Sequence, residues 1–233
     1  MKKAISFSLW GDKFRYIGGA IENAKLASIV YPDWDCVFFV ASSVPKETLD
    51  ELSKFPNVKI LLTESRGDWT GMFWRFSLID SGEYDYVIVR DIDSRLSFRE
   101  KVAVDEWIAS GKKFHIMRDN VQHNTEILGG MWGVTKGVMN FTQLISSYAG
   151  CGDYWQTDQN FLRDVVWSTA SQSNVTHDEF FVKNKFPFGT RHPAHFVGQA
   201  YDGDGTVLGS TENFWDYFET EKEEYEKYAS STR

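Results

Sequence analysis

Cysteine is nearly missing from this sequence: among 233 residues there are two, Cys36 and Cys151. Two thiols cannot form the disulfide framework that staples small secreted domains, and Cys36 lies in an apolar run where a buried thiol is expected. No apolar run approaches the ~20 residues that cross a bilayer. The opening Met1-Lys2-Lys3 precedes an apolar stretch too short for a secretory signal, so a cytoplasmic location is expected. The sequons at Asn140 and Asn174 then carry no weight. Positive charge is short as well, with 25 Lys and Arg against 33 Asp and Glu. The pI is near 5.2. Nucleic acid and anionic membrane both need a basic footprint, and neither is expected as a partner. Any anionic substrate would need a metal ion or a local group of Arg and Lys.

What is present suits a globular enzyme-sized domain. Hydrophobic residues make up 42%, enough for a sizeable core, and the length fits a single domain over 1–233. Aromatics reach 16%, with 9 Trp. Such rings either pack the core or stack on sugar faces.

Strand and helix patterns alternate along the first hundred residues. Ile5, Phe7 and Leu9 alternate with small polar residues over Ala4 to Leu9, a strand. Phe14, Ile17, Ile21 and Ala24 repeat at helical spacing up to Pro32. Cys36 to Val40 and Val58 to Leu62 read as strands, Lys46 to Phe55 and Thr70 to Ile79 as helices. Ser97 to Ser110 reads as a helix with Ser97 as cap, Glu100 as its reciprocal partner and Gly111 as the stop. Phe114 to Met117 is a strand and Lys136 to Tyr148 a helix, while Ser171 to Asp204 shows no clear period. Glu212 to Tyr228 is a charged helix with Phe214, Phe218 and Tyr225 on one side, a docked tail within 210–233. The alternation predicts an α/β fold with a mostly parallel sheet, helices on both faces and a C-terminal helix.

The stretch that organises the rest is Tyr84 to Arg95. Tyr86 to Val89 is a buried strand that runs into Asp91-Ile92-Asp93. Two carboxylates at a carboxyl strand end can share a divalent cation and so neutralise a diphosphate, although Asp is also common wherever a strand becomes a loop. Ser8, Leu9 and Trp10 end the first strand, where backbone groups and a ring can hold a nucleotide, or where a Trp simply packs. Arg75 sits in an apolar helix and suits either an ion pair or a grip on phosphate. Asp119, Asp153 and Asp158 stand at element ends as caps or as acceptors for sugar hydroxyls, with Gln159 beside the last. Gly129, Gly130 and Gly133 surround Trp132 and mark a close approach of backbone to a ligand or another segment. His195, or alternatively His177, is a late histidine that can complete a metal site. Asp202-Gly203-Asp204-Gly205 lacks the ligand register of a calcium loop and reads as a turn.

The order of these pieces resembles the GT-A (Rossmann-like) nucleotide-sugar glycosyltransferases. The likeness is to the glycogenin and lipopolysaccharide galactosyltransferase group, and to small glycosyltransferase-like proteins of bacteria and large viruses. It is carried by Met72-Phe73-Trp74-Arg75-Phe76, Arg90-Asp91-Ile92-Asp93-Ser94-Arg95, His115 to Asp119, Ile127 to Gly133, Asp158-Gln159 and His195-Phe196-Val197-Gly198. It implies transfer of a sugar from a nucleoside diphosphate sugar, UDP-sugar favoured, to a glycan or other hydroxyl acceptor, with retention. It also implies Mn2+ or Mg2+ held by Asp91, Asp93 and His195, with Asp158 and Gln159 beside the transferred sugar. Asp119 and Asp153 would be further polar contacts, and Trp132 or Trp155 would stack on the acceptor. The galactosyltransferase group follows its His-x-x-Gly with Lys-Pro-Trp, whereas this chain continues Gln199-Ala200-Tyr201-Asp202; Arg95 or Arg191 would replace the missing lysine. Two other readings remain. Asp-x-Asp after a strand is also similar to haloacid-dehalogenase phosphohydrolases, but three strands precede it here and Arg95 stands where that family has Thr or Val. A carbohydrate-binding domain without turnover is the third.

Overall fold

The computed structural model describes residues 1–148, 156–182 and 184–232. Cys151, Asp153 and Trp155 fall outside them. Seven strands form one sheet: β1 (Lys3–Leu9), β2 (Asp35–Val40), β3 (Val58–Leu62), β4 (Tyr86–Arg90), β5 (Phe114–Arg118), β6 (Met131–Thr135) and β7 (Asn174–Asp178). Their order is β3-β2-β1-β4-β6-β5-β7. Every pairing is parallel except the two made by β6, which runs antiparallel to β4 and β5. β1 has β2 on one side and β4 on the other, so the chain winds away in opposite directions from it. A crevice therefore opens beyond the carboxyl ends of β1 and β4.

Alternation along the strands explains the two cores. Ile5, Phe7 and Leu9 of β1 and Ile88 of β4 face one apolar cluster, while Ala4, Val87 and Val89 face another. The first is covered by α1 (Phe14–Val30), α3 (Phe98–Ser110) and α7 (Phe214–Ser231), with α2 (Lys46–Leu52) at its margin. The second is covered by a 3₁₀ segment (Trp69–Ser81), α4 (Phe141–Ser146) and a helical run of α5 (Thr157–Phe161), a π turn (Leu162–Val166) and α6 (Trp167–Ala170). Each large apolar side chain buried this way is worth about 1.5–3 kcal/mol, far more than any surface ion pair.

Several elements differ from their sequence signals for identifiable reasons. α1 stops at Val30 because Pro32 pushes Tyr31 out of helical geometry. The segment expected as an α-helix over Thr70 to Ile79 is 3₁₀ instead. There, the Arg75 N–H donates to the Ser8 hydroxyl at 3.1 Å and the Ser6 hydroxyl donates to the Arg75 carbonyl at 2.7 Å. β1 thus takes over backbone groups that an α-helix would have paired internally. The helix expected over Lys136 to Tyr148 is confined to α4, since Gly137 turns at φ 73° and Asn140 caps the later start, accepting from the Gln143 N–H at 2.9 Å.

Ser97 caps α3 as expected, accepting from the Glu100 N–H at 3.3 Å, and Gly111 ends the helix in the left-handed region. Glu100 does not reciprocate. It is buried, accepts from the Tyr31 hydroxyl at 2.9 Å and pairs with Arg90 at 3.2 Å. The donor groups at the start of α3 are met from far along the chain: the Phe98 and Arg99 N–H groups donate to Glu221 of α7 at 2.9 and 3.0 Å. Phe98 also stacks on Phe218 and Tyr225, so α7 docks by the face its sequence predicts. β7 escapes detection because Asn174-Val175-Thr176-His177-Asp178 is mostly polar. Its buried His177 meets His115 at 2.8 Å, and its buried Asp178 pairs with Arg118. No helix among the described residues is long and apolar enough to cross a membrane.

Candidate active site

A cleft of about 540 Å³ lies beyond the carboxyl ends of β1 and β4. Ser8, Leu9 and Trp10 supply one wall, Asp91 and Asp93 the floor, and Gly129, Asp158 and Gln159 the far side. Trp10 packs edge-on against Trp74, and a side chain at Gly67 or Gly71 would strike its ring. The indole is therefore held rigidly.

The Asp-Ile-Asp turn is fixed from α1. Asn23, fully buried, donates to the carbonyls of Ile92 and Ser94 at 3.1 and 2.8 Å and accepts from the Leu96 N–H at 3.2 Å. One turn earlier, a Cβ at Gly19 would lie 2.3 Å from the Ile92 carbonyl oxygen, so only glycine admits the turn this close. Arg15, at the start of the same helix, makes a close ion pair with Asp93. Burial raises the pKa of Asp93, the charge on Asp91 raises it further, and Arg15 opposes both.

Arg75 bridges two acids from opposite sides of the cleft. It donates to Asp91 Oδ1 and, at 2.8 Å, to Asp158 Oδ2, and it also reaches the Arg90 carbonyl at 2.9 Å. Asp158 lies in the first turn of α5 rather than at its cap, and its other oxygen accepts from the Gln159 N–H at 2.9 Å. Burial raises its pKa and Arg75 pulls it back. The glycine pair expected to mark close approach does so. A Cβ at Gly129 would sit 2.5 Å from Asp158 Oδ2, and one at Gly130 would sit 2.2 Å from Asp91 Oδ2. The backbone entering β6 thus presses on both carboxylates.

His123, from the loop between β5 and β6, also lines the cleft and carries no sequence motif. Its Nδ1 accepts from the Asp119 N–H at 3.0 Å. Burial, more than the nearby Arg191, pushes its pKa down to about 4. The neutral ring therefore holds its proton on Nε2 and presents a donor, not a metal-binding lone pair.

Other anticipated site residues lie elsewhere. Asp119 is fully buried, accepting from Arg99 at 3.1 and 3.2 Å and from the Val197 N–H at 2.9 Å, so no sugar reaches it. Trp132 is fully buried against Phe76 and Phe141, with its indole N–H donating to the Gly129 carbonyl at 3.2 Å, and cannot stack on an acceptor. Arg95 turns away to the Asp202 carbonyl at 2.7 Å, and Arg191 donates to the Asp119 carbonyl at 2.6 Å; neither lines the cleft. His177 is buried at the sheet edge beside His115. His195 faces a second pocket with His192 and Glu212. Neither late histidine joins Asp91 and Asp93: His177 packs on Phe186 at the edge strand, and His195 packs on Tyr217 of α7.

What remains for a cation is a pair of carboxylates. A hard divalent ion such as Mn2+ or Mg2+ fits that donor set, because such ions bind through one or two carboxylates and complete their shell with water and substrate phosphate. The Asp91 side chain is 49% exposed, open to the cleft. Arg15 and Arg75 each retain a buried Nε with no partner among the described residues, which is spare donor capacity next to the acids.

No protein-family model and no curated protein sequence matches the chain. Among solved structures, the chain is similar to a mannosyltransferase from Pyrobaculum calidifontis in complex with GDP-Man and Mn2+, at 12% identity and a TM-score of 0.51. The match covers 76% of this chain and 55% of the mannosyltransferase, so this chain spans little more than half that protein. A glycosyltransferase involved in glycosylation of the major capsid of PBCV-1 matches at 13% identity and TM-score 0.49, covering 78% of this chain and 84% of that one. The galactosyltransferase LgtC, in complex with donor and acceptor sugar analogs, matches at 14% and 0.48 over 82% and 80%. The fold is that of the GT-A nucleotide-sugar glycosyltransferases.

Proposed function

We propose that the chain transfers a sugar from a nucleoside diphosphate sugar to a hydroxyl acceptor, with a divalent cation held by Asp91 and Asp93. The observation that carries this reading is the convergence of Asp91, Asp93, Arg15 and Arg75 on one cleft at the point where the sheet changes winding direction. The cation, when bound, supplies positive charge to the diphosphate as it departs. In this reading the backbone and ring of Ser8 to Trp10 hold the nucleoside, with uridine first among candidates. Arg15 and Arg75 exchange their carboxylate partners for phosphate oxygens, and the His123 Nε2–H donates to the same leaving group. Asp158 and Gln159 hold the transferred sugar. Arg75 links the sugar end to the phosphate end, since it touches Asp158 and Asp91 together. A polar group beside the sugar, rather than a free base beside the acceptor, suits transfer with retention.

The test is incubation with a panel of nucleotide sugars and Mn2+. Release of nucleoside diphosphate, with proton NMR of the product's anomeric centre, supports the reading and decides the stereochemistry. Inorganic phosphate release without sugar transfer would favour a phosphohydrolase. Nucleotide binding without turnover would favour a binding domain.

A further inference from the structure

The second pocket, about 490 Å³, lies where the loop around His192 and His195 meets the start of α7. His192, His195 and Glu212 each offer a ligand atom, and these atoms lie within 4.8 Å of one another. No other group of three such side chains gathers this closely among the described residues. We propose that these three residues form a transition-metal site, zinc foremost, distinct from the cation site in the cleft.

The donor set and its surroundings both support a metal. Two imidazoles and one carboxylate suit zinc or nickel, whereas magnesium and calcium prefer oxygen alone. In a tetrahedral zinc site, bonds of about 2.0–2.1 Å place ligand atoms roughly 3.3 Å apart. His195 Nε2 and Glu212 Oε2 are already 3.5 Å apart. The other nitrogen of His195 meets the Tyr201 hydroxyl at 3.1 Å. If Nδ1–H donates to that oxygen, the Nε2 lone pair is left facing Glu212, the arrangement by which a neighbouring group orients a metal-binding histidine. The His195 ring also lies nearly parallel to the rings of Tyr201 and Tyr217, with centres 5.9 and 4.9 Å away. His192 packs against His195 with ring centres 4.8 Å apart, and its Nδ1 accepts a 3.2 Å bond from the Ala194 N–H. Metal binding would replace that long bond, either directly at Nδ1 or by moving the ring proton there. Three protein ligands leave a fourth position open to the pocket, where Asp216 also lies.

The site would tie two stretches that are remote in sequence. Glu212 directly precedes Asn213, which caps α7 by accepting from the Trp215 N–H at 3.0 Å. A metal there would fasten the first turn of α7 to the 188–195 loop, whose Phe188 and Gly189 carbonyls accept from Arg99 of α3. This assignment is independent of the sugar-transfer reading, since no residue is shared.

The test uses the full chain carrying Asp91→Ala and Asp93→Ala, which removes the two carboxylates proposed to hold the cleft's cation. After dialysis against chelator, zinc alone is titrated in by calorimetry, and Co2+ substitution is followed by its visible absorption. One equivalent should bind, with nitrogen-type cobalt bands, and the melting temperature should rise with zinc. Adding His192→Ala, or separately Glu212→Gln, should abolish all three signals in protein whose far-UV circular dichroism is unchanged. Both side chains are exposed enough to change without unfolding the core. Tyr201→Phe should weaken zinc about 10–100-fold. No zinc uptake by the Asp91→Ala, Asp93→Ala protein, or full uptake by either ligand variant, would overturn the assignment.

Discussion

Two groups of arginine–carboxylate pairs meet at the neighbouring residues Arg90 and Asp91 and are built from the same chemistry. Arg90 with Glu100 and Tyr31, and Arg99 with Asp119, are sealed: none of these side chains is more than 2% exposed. Arg75 with Asp91 and Asp158, and Arg15 with Asp93, border the cleft, and Asp91 is half open to it. In the sealed group every charge was desolvated during folding, so its partner cannot be removed without leaving a bare ion in the core. In the cleft group a phosphate or a cation can replace the partner, and the pairs hold side chains ready for an incoming ligand. Adjacent residues take opposite parts: Arg90 anchors the sheet to α3, while Asp91 faces the cleft.

The comparison breaks first on the sealed side. Glu100→Ala should cost about 3–5 kcal/mol of stability by denaturant titration, because it strands the Arg90 guanidinium. Next, Asp91→Ala should lower nucleoside diphosphate release by about 10²–10³-fold while changing stability by no more than about 1 kcal/mol. Equal losses of stability in the two variants would erase the distinction.

A sharper contrast comes from pH. Burial raises the Glu221 pKa from 4.5 to about 7. The folded chain therefore holds that proton more tightly than the unfolded one. The resulting stabilisation is complete below about pH 4.5 and is lost as pH rises through 7. Melting temperatures in chelator should fall more steeply between pH 5 and 8 for the wild type than for Glu221→Gln. The smallest effect is expected for the Arg15–Asp93 pair, whose partly exposed side chains should couple by about 0.2–1 kcal/mol in a double-mutant cycle.

The sequence made the frame of this site readable and left its lining obscure. β4 and its two acids were visible because a β-branched run ending in Asp-x-Asp constrains both burial and position. Gly129 and Gly130 were visible because only a close approach explains glycine there. Trp132, Asp119 and Arg95 follow or flank the same motifs, but a one-residue step in a strand or turn reverses the side chain's direction. That reversal sends Trp132 into the core and Arg95 toward Asp202. His195 was misplaced for a related reason: chemistry identifies a ligand type, whereas tertiary packing chooses its companions. Arg15, Asn23 and His123 were missed. For the first two a signal existed, since Gly18-Gly19 inside a helix lowers its stability and calls for a tight contact on that face. His123 had none.

The reach of Glu221 back to Phe98 and Arg99 has a bearing on how the chain matures. These partners are separated by 123 and 122 positions. Until residue 221 is within reach, the Phe98 and Arg99 N–H groups of α3 lack their carboxylate partner, and Ser97 alone caps the helix start. Arg99, which begins at that turn, holds Asp119, and the Asp119 N–H holds His123 at the cleft. A nascent chain can thus assemble its sheet early and still lack a finished cleft. Ribosome-stalled chains ending before residue 221 would carry β1 without that anchor on α3, so the seating of His123 beside the cleft would arrive abruptly once residue 221 is within reach, and not in proportion to length.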